Sequence, residues 1–115
     1  MFSSTKCYIE RKIQTKTMVI FGKTNDPCCR QVIQILEKYF APKNFYEWID
    51  MEKRHDCKQI ENYFRTLCFT DRRKTPYIFI SGRYFGSSDE FYQAHIQGKL
   101  YDVLFSLFQS NRNIY

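Results

Sequence analysis

Thr17-Met18-Val19-Ile20-Phe21-Gly22-Lys23-Thr24-Asn25-Asp26-Pro27-Cys28-Cys29 decides how this chain folds. The run Thr17 to Phe21 is short, apolar and rich in β-branched residues, and it ends at Gly22, which is the pattern of a buried strand. Asp26-Pro27 then opens a helix. Aspartate accepts hydrogen bonds from first-turn amides, and proline at the first helical position gives up no donor the helix needs.

Downstream, Cys29, Val32, Ile33, Leu36 and Phe40 recur at steps of three and four and mark one apolar helix face before Pro42 stops it. Phe45 to Met51, alternating around Tyr46, Trp48 and Asp50, reads as a second strand. Asp56 to Cys68 carries Ile60, Tyr63, Phe64 and Leu67 at helical spacing. The polar loop Thr70 to Lys74 leads through Thr75-Pro76 into Tyr77 to Ile80, and Ser81-Gly82 turns that strand back into Arg83 to Phe85 as a hairpin. Gly86 to Asp89 is a second helix entry, with Ser88 or Asp89 as the expected cap. Phe91 to Ile96 and Tyr101 to Phe108 close the chain as two helices split by Gly98. Upstream, Thr5 to Ile13 suits a short helix lying against the body. This order predicts an α/β sandwich with a four-stranded mixed sheet of two parallel and two antiparallel strands. The expected organisation is an N-terminal helix extension over residues 1–16, one domain over 17–110, and a tail over 111–115.

A chain of 115 residues makes one domain that buries roughly two-thirds of its unfolded surface. Eighteen Lys and Arg against twelve Asp and Glu give +6, which favours anionic partners such as small carboxylates or nucleic acid. The basic residues are dispersed without an arginine stripe, which argues against nucleic acid. No apolar run reaches the roughly 18 residues of a membrane span, and Met1 to Lys16 lacks a signal peptide's apolar centre, so the expected setting is cytoplasmic and reducing. The five cysteines, Cys7, Cys28, Cys29, Cys57 and Cys68, are odd in number and lack framework spacing, so free thiols are expected. His55, Cys57, Cys68 and His95 offer no Cys-x2-Cys or His-x3-His pair, and no metal is expected.

From Thr17 to about Leu104 the chain resembles a glutaredoxin. The resemblance rests on four separated stretches in order: Val19 to Thr24 leading into Asp26-Pro27-Cys28-Cys29, Lys74 to Ile80 before Gly82, Tyr84 to Asp89, and His95 to Leu100. It implies a thioredoxin-like fold and glutathione-dependent thiol-disulfide exchange. It also implies a glutathione site made of Lys23, the turn through Cys28, Arg72, Thr75 before a cis Pro76, and Ser88-Asp89. Lys23 and Arg72 then neutralise the glycine carboxylate, Ser88 and amides at a helix start hold the other carboxylate, and Asp89 pairs with the ammonium. The Thr75 backbone pairs with the extended tripeptide.

The resemblance departs from the family at one decisive position. Where relatives carry the attacking cysteine, this chain has Asp26, which cannot form a mixed disulfide and whose charge disfavours thiolates at Cys28 and Cys29. Cys29 matches the inward-facing second cysteine. Cys28 borders the groove and is the better candidate for a substitute thiol, against the reading that Cys28 is groove wall and Cys29 core filler. Two functions follow: a weak glutathione-dependent oxidoreductase acting on protein thiols, or a non-catalytic module that binds glutathione or a protein partner. Iron-sulfur ligation is disfavoured because the first cysteine is gone. Cys7, Cys57 and Cys68 read as structural or surface thiols, and His95 as packing without a partner.

Overall fold

The computed structural model describes residues 4–39, 46–67 and 75–112, with side chains through residue 107. Phe40, Pro42, Phe45, Cys68, Arg72, Arg73 and Lys74 lie outside the described residues, as does the end of the expected tail.

Among the described residues ten elements follow in chain order: α1 (Ser4–Thr15), β1 (Met18–Gly22), α2 (Pro27–Lys38), β2 (Glu47–Asp50), a 3-10 turn (Met51–Lys53), α3 (Cys57–Leu67), β3 (Tyr77–Ile80), β4 (Arg83–Gly86), α4 (Ser88–Ile96) and α5 (Lys99–Arg112). The sheet runs β2-β1-β3-β4, with β1 parallel to β2 and both remaining pairings antiparallel. This is the expected thioredoxin-like arrangement.

Every residue of β1 is buried, and its period of two divides them between two cores. Met18 and Ile20 face Val32, Ile35 and Leu36 of α2, Phe91 of α4 and Leu100, Leu104 and Leu107 of α5. Val19 and Phe21 face the other way, onto Ile9 and Ile13 of α1 and Ile60 and Phe64 of α3. Strand β3 repeats the division, with Ile78 in the first core and Tyr77 and Phe79 in the second. A sheet buried on both faces between helical layers explains why β1 reads as a continuous apolar run rather than an alternating one.

Four expectations change in detail. Ile35, rather than Ile33, completes the buried face of α2, while Ile33 packs at its margin. Met51 leaves the second strand for the 3-10 turn, where the Asp50 carboxylate accepts from the Glu52 amide at 3.1 Å and ends the extended run. Only Ile60 and Phe64 of α3 are fully buried. Tyr63 is half-buried and Leu67 exposed, because α3 meets the sheet along a narrow stripe. The cap of α4 is Ser87, one residue earlier than expected. Glu90 reaches back so that its Oε1 accepts from the Ser87 amide at 2.7 Å, and this fixes the helix start.

The hairpin turn places both Ser81 (φ 52°) and Gly82 (φ 82°) in the left-handed region, as a two-residue loop between twisted strands requires. Gly86 has φ 147° and lies so close to Glu90 that a Cβ there would sit 2.7 Å from the Glu90 Cβ. No helix among the described residues is long and apolar enough to cross a membrane.

Candidate functional site

Register brings three separated stretches to one end of the sheet, where β1 and β4 finish and β3 begins. Phe21 pairs with Tyr77, so the turn after β1 lies beside the start of β3, and Ile78 pairs with Gly86, so the end of β4 and the start of α4 lie there too. Asp26, Thr75-Pro76 and Ser87-Ser88 therefore converge although some sixty residues separate the first from the last.

The turn after β1 closes with the Asp26 amide donating to the Lys23 carbonyl at 3.0 Å. Asp26 takes an extended conformation (φ −82°, ψ 122°) and its Oδ1 accepts from the Cys28 amide at 2.9 Å, as expected of the helix cap. Its Oδ2 accepts from the Thr75 hydroxyl. One carboxylate thus ties the start of α2 to the loop before β3, where the Thr75-Pro76 peptide is cis. Thr24 donates to Asp50, anchoring the turn to the end of β2.

Cys29 is 1 % exposed, and its Sγ accepts from the Lys23 amide at 3.4 Å. Burial pushes the thiol up to about 11 from the ordinary 9.0; hydrogen bonds from the Lys23 amide and Thr75 pull it down, and the Asp26 carboxylate adds to the rise. The sign follows directly. A thiol whose folded pKa is raised contributes stability that is intact below about pH 9 and is lost as pH climbs through about 11. Wild type should therefore lose stability over that window relative to Cys29→Ala in denaturant melts. In the native protein, iodoacetamide should leave Cys29 unlabelled at neutral pH; labelling there as fast as a free thiol would contradict this environment. Cys28 is half-buried at the preceding position of the helix.

Lys23 is not free to meet a ligand unopposed. Its Nζ lies 3.5 Å from Glu61 Oε2 on α3, with both side chains largely covered. Glu61 was invisible to sequence reasoning because it is simply one charge among several on a helix. Cys57, read as an ordinary thiol, stands in the same group: its Sγ is 3.7 Å from Glu61 Oε1, and burial followed by the Glu61 charge raises its pKa.

At the start of α4, Ser88 is 1 % exposed and its hydroxyl has no hydrogen-bond partner, while Asp89 is exposed. A buried hydroxyl without a partner beside first-turn amides has a donor to spare. His95 packs as expected but has a partner the sequence did not show: Tyr39 Oη lies 2.7 Å from its Nδ1 and the two rings meet edge to face, pinning the end of α2 to α4. Among the described residues no group of three His, Cys, Asp or Glu side chains is arranged to hold a metal.

No family model matches the chain. It is 26% identical over 102 residues to Glutaredoxin-C8 of rice, a match that spans 89% of this chain and 73% of the rice protein. Its fold is similar to the holo form of glutaredoxin C1 from a poplar hybrid (TM-score 0.79, 22% identity, 91% of this chain and 99% of the other). Its fold is also similar to the buckwheat glutaredoxin-glutathione complex (TM-score 0.78, 23% identity, 90% and 89%).

Proposed function

We propose, for a chain that is glutaredoxin-like in sequence and fold, that it is a glutathione-dependent thiol-disulfide oxidoreductase of low turnover, with the tripeptide lying along the edge formed by Asp26, Thr75 and Ser88. The observation that carries this reading is the buried, unpartnered Ser88 hydroxyl at the start of α4, at the same end of the sheet as Asp26 and Thr75. A carboxylate placed there gains the hydroxyl, the first-turn amides and the favourable end of the helix dipole. Asp89 is exposed beside it to meet an ammonium, and Lys23, with Arg72, supplies positive charge for a second carboxylate. Thr75 and Pro76 line the groove between them.

In the catalytic reading Cys28 is the reacting thiol. Its thiolate attacks the glutathione sulfur of a protein-glutathione disulfide, the Cys28-glutathione bond forms as the protein thiolate leaves, and a second glutathione thiolate then releases oxidised glutathione and regenerates Cys28. The exchange balances: one free glutathione thiol is oxidised into oxidised glutathione as the protein sulfur of the mixed disulfide is reduced to a thiol. Cys29, held as a neutral thiol by its surroundings, serves as packing. The partners on this reading are glutathione and protein thiols, and the odd cysteine count without framework spacing supports a reducing, cytoplasmic setting.

One observation favours the second reading, a non-catalytic glutathione-binding or protein-interaction module. Asp26 already takes up the Cys28 amide and the Thr75 hydroxyl, the donors a catalytic thiolate at this place would need. Calorimetry separates the possibilities. Glutathione should bind with a Kd below a few millimolar, Lys23→Ala and Ser88→Ala should each weaken it about fivefold to tenfold, and Glu61→Gln, which frees Lys23, should tighten it. Absence of binding by wild type and Glu61→Gln alike would remove glutathione from both readings. Binding without turnover would select the module.

A further inference from the structure

On the far side of α2 from the glutathione edge, a cleft of about 450 Å³ opens between this helix and the exposed margin of the sheet. Its walls are Ile33 of α2 and the two rings of Tyr46 and Trp48, which stand two residues apart and so share one face of the edge strand. Arg30, Gln34 and Glu37 form the rim, all three exposed, and neither Arg30 nor Glu37 makes an ion pair with another described residue. The volume and the mixture of aromatic wall with few polar groups are those of a small-molecule pocket.

The charges are ordered along the cleft. Arg30 stands at the end nearest the Asp26 turn and Glu37 at the other. Seven residues of helix set them about 10 Å apart along the axis. We propose that this cleft binds a flat aromatic amine carrying an anionic group, of purine mononucleotide size, with the anion on Arg30, the ring against Tyr46 and Trp48, and the amino group donating to Glu37. Guanidinium and phosphate make a charge-assisted, two-pronged contact, and an aromatic wall takes any base through its π-face. The Tyr46 hydroxyl lies within the field of Glu37, and burial with that charge raises its pKa, so it stays protonated and available as a further donor.

The cleft also touches the redox turn, since Thr24 and Cys29 close its inner end. The Trp48 ring lies so near Gly22 that a Cβ there would collide with Cη2 of the indole and sit 2.9 Å from Cys29 Sγ. A ligand pressing on the indole therefore presses on the strand end that leads into Asp26.

Trp48 is the one tryptophan of the chain, which makes the cleft self-reporting. Titration of the full chain with adenosine 5′-monophosphate should change its fluorescence saturably, with calorimetry giving the same Kd. Arg30→Ala should weaken binding about tenfold, and Glu37→Gln about fivefold. Inosine 5′-monophosphate, which lacks the amino group, and ribose 5-phosphate, which lacks the ring, should both bind less tightly than the adenosine compound. The proposal is overturned by no saturable response, by ribose 5-phosphate binding equally well, by indifference to Arg30→Ala, or by competition from glutathione, which would place the nucleotide on the other side of α2.

Discussion

Asp26→Cys should raise glutathione-coupled disulfide reduction on the order of a hundredfold or more, equivalent to about 2.7 kcal/mol of barrier. The site around residue 26 is already arranged for an anion. The Cys28 amide donates to Asp26 Oδ1 at 2.9 Å, the Thr75 hydroxyl donates to Oδ2, and α2 directs its positive end at both oxygens. A sulfur placed there inherits these interactions as a thiolate, the species that attacks a disulfide, whereas the native carboxylate enjoys the same stabilisation and cannot use it. The substitution also removes a charge that opposes ionisation of Cys29, although burial, the larger cause, remains. Its cost is the loss of a good cap, about 0.5–2 kcal/mol of stability, which a thermal melt will register separately from turnover. Asp26→Asn is the matched control: it removes the charge without supplying sulfur, so any gain made through Cys28 alone shows in it, and the excess of Asp26→Cys over Asp26→Asn is the contribution of the new sulfur. If the cysteine variant binds glutathione and still gives no gain, the groove does not present the ligand's sulfur to residue 26, and the oxidoreductase reading fails for a reason beyond the missing nucleophile.

What could be read in advance divides along a physical line. The strand over Met18–Gly22 and the start of α2 at Pro27 were legible because each is decided locally, by side-chain apolarity and by one cap. The mixed four-stranded sheet followed from the sequence of element types. Interactions between distant residues were not legible. Asp26 was recognised as a cap, yet its second bond, to Thr75, depends on the pairing of Phe21 with Tyr77 that carries residue 75 alongside. Glu61 holds Lys23, and Tyr39 meets His95, only because α3 and α4 pack where they do. The displaced cap is a subtler case. Ser87, Ser88 and Asp89 are all competent caps by type, and the choice fell to Glu90, whose carboxylate reaches the Ser87 amide and leaves Ser88 facing inward without a partner.

Phe64→Ala should destabilise the protein by about 3–5 kcal/mol, a large part of the about 5–15 kcal/mol that holds a domain of this kind together. Phe64 is completely buried and is the hub of the second core, with ring centroids 5.0 Å from Phe21, 4.5 Å from Tyr77 and 5.4 Å from Phe79. Truncation removes the transfer energy of one ring, leaves a cavity that three rigid rings cannot collapse to fill, and loses the edge and tilted contacts themselves. Urea melts should show the midpoint falling while the slope holds, the mark of lost stability rather than an altered unfolded state. Tyr92→Ala, at an exposed position on α4, should stay within about 0.5 kcal/mol of wild type. The consequence reaches the site through one short path. Tyr77 directly follows Pro76 and leans on Phe64, so loosening the hub loosens the loop whose Thr75 hydroxyl binds Asp26. Glutathione affinity should therefore fall in Phe64→Ala even at temperatures where the variant remains folded. A loss of stability below about 1 kcal/mol would mean that α3 does not close over the sheet, and with it would go the support beneath the groove.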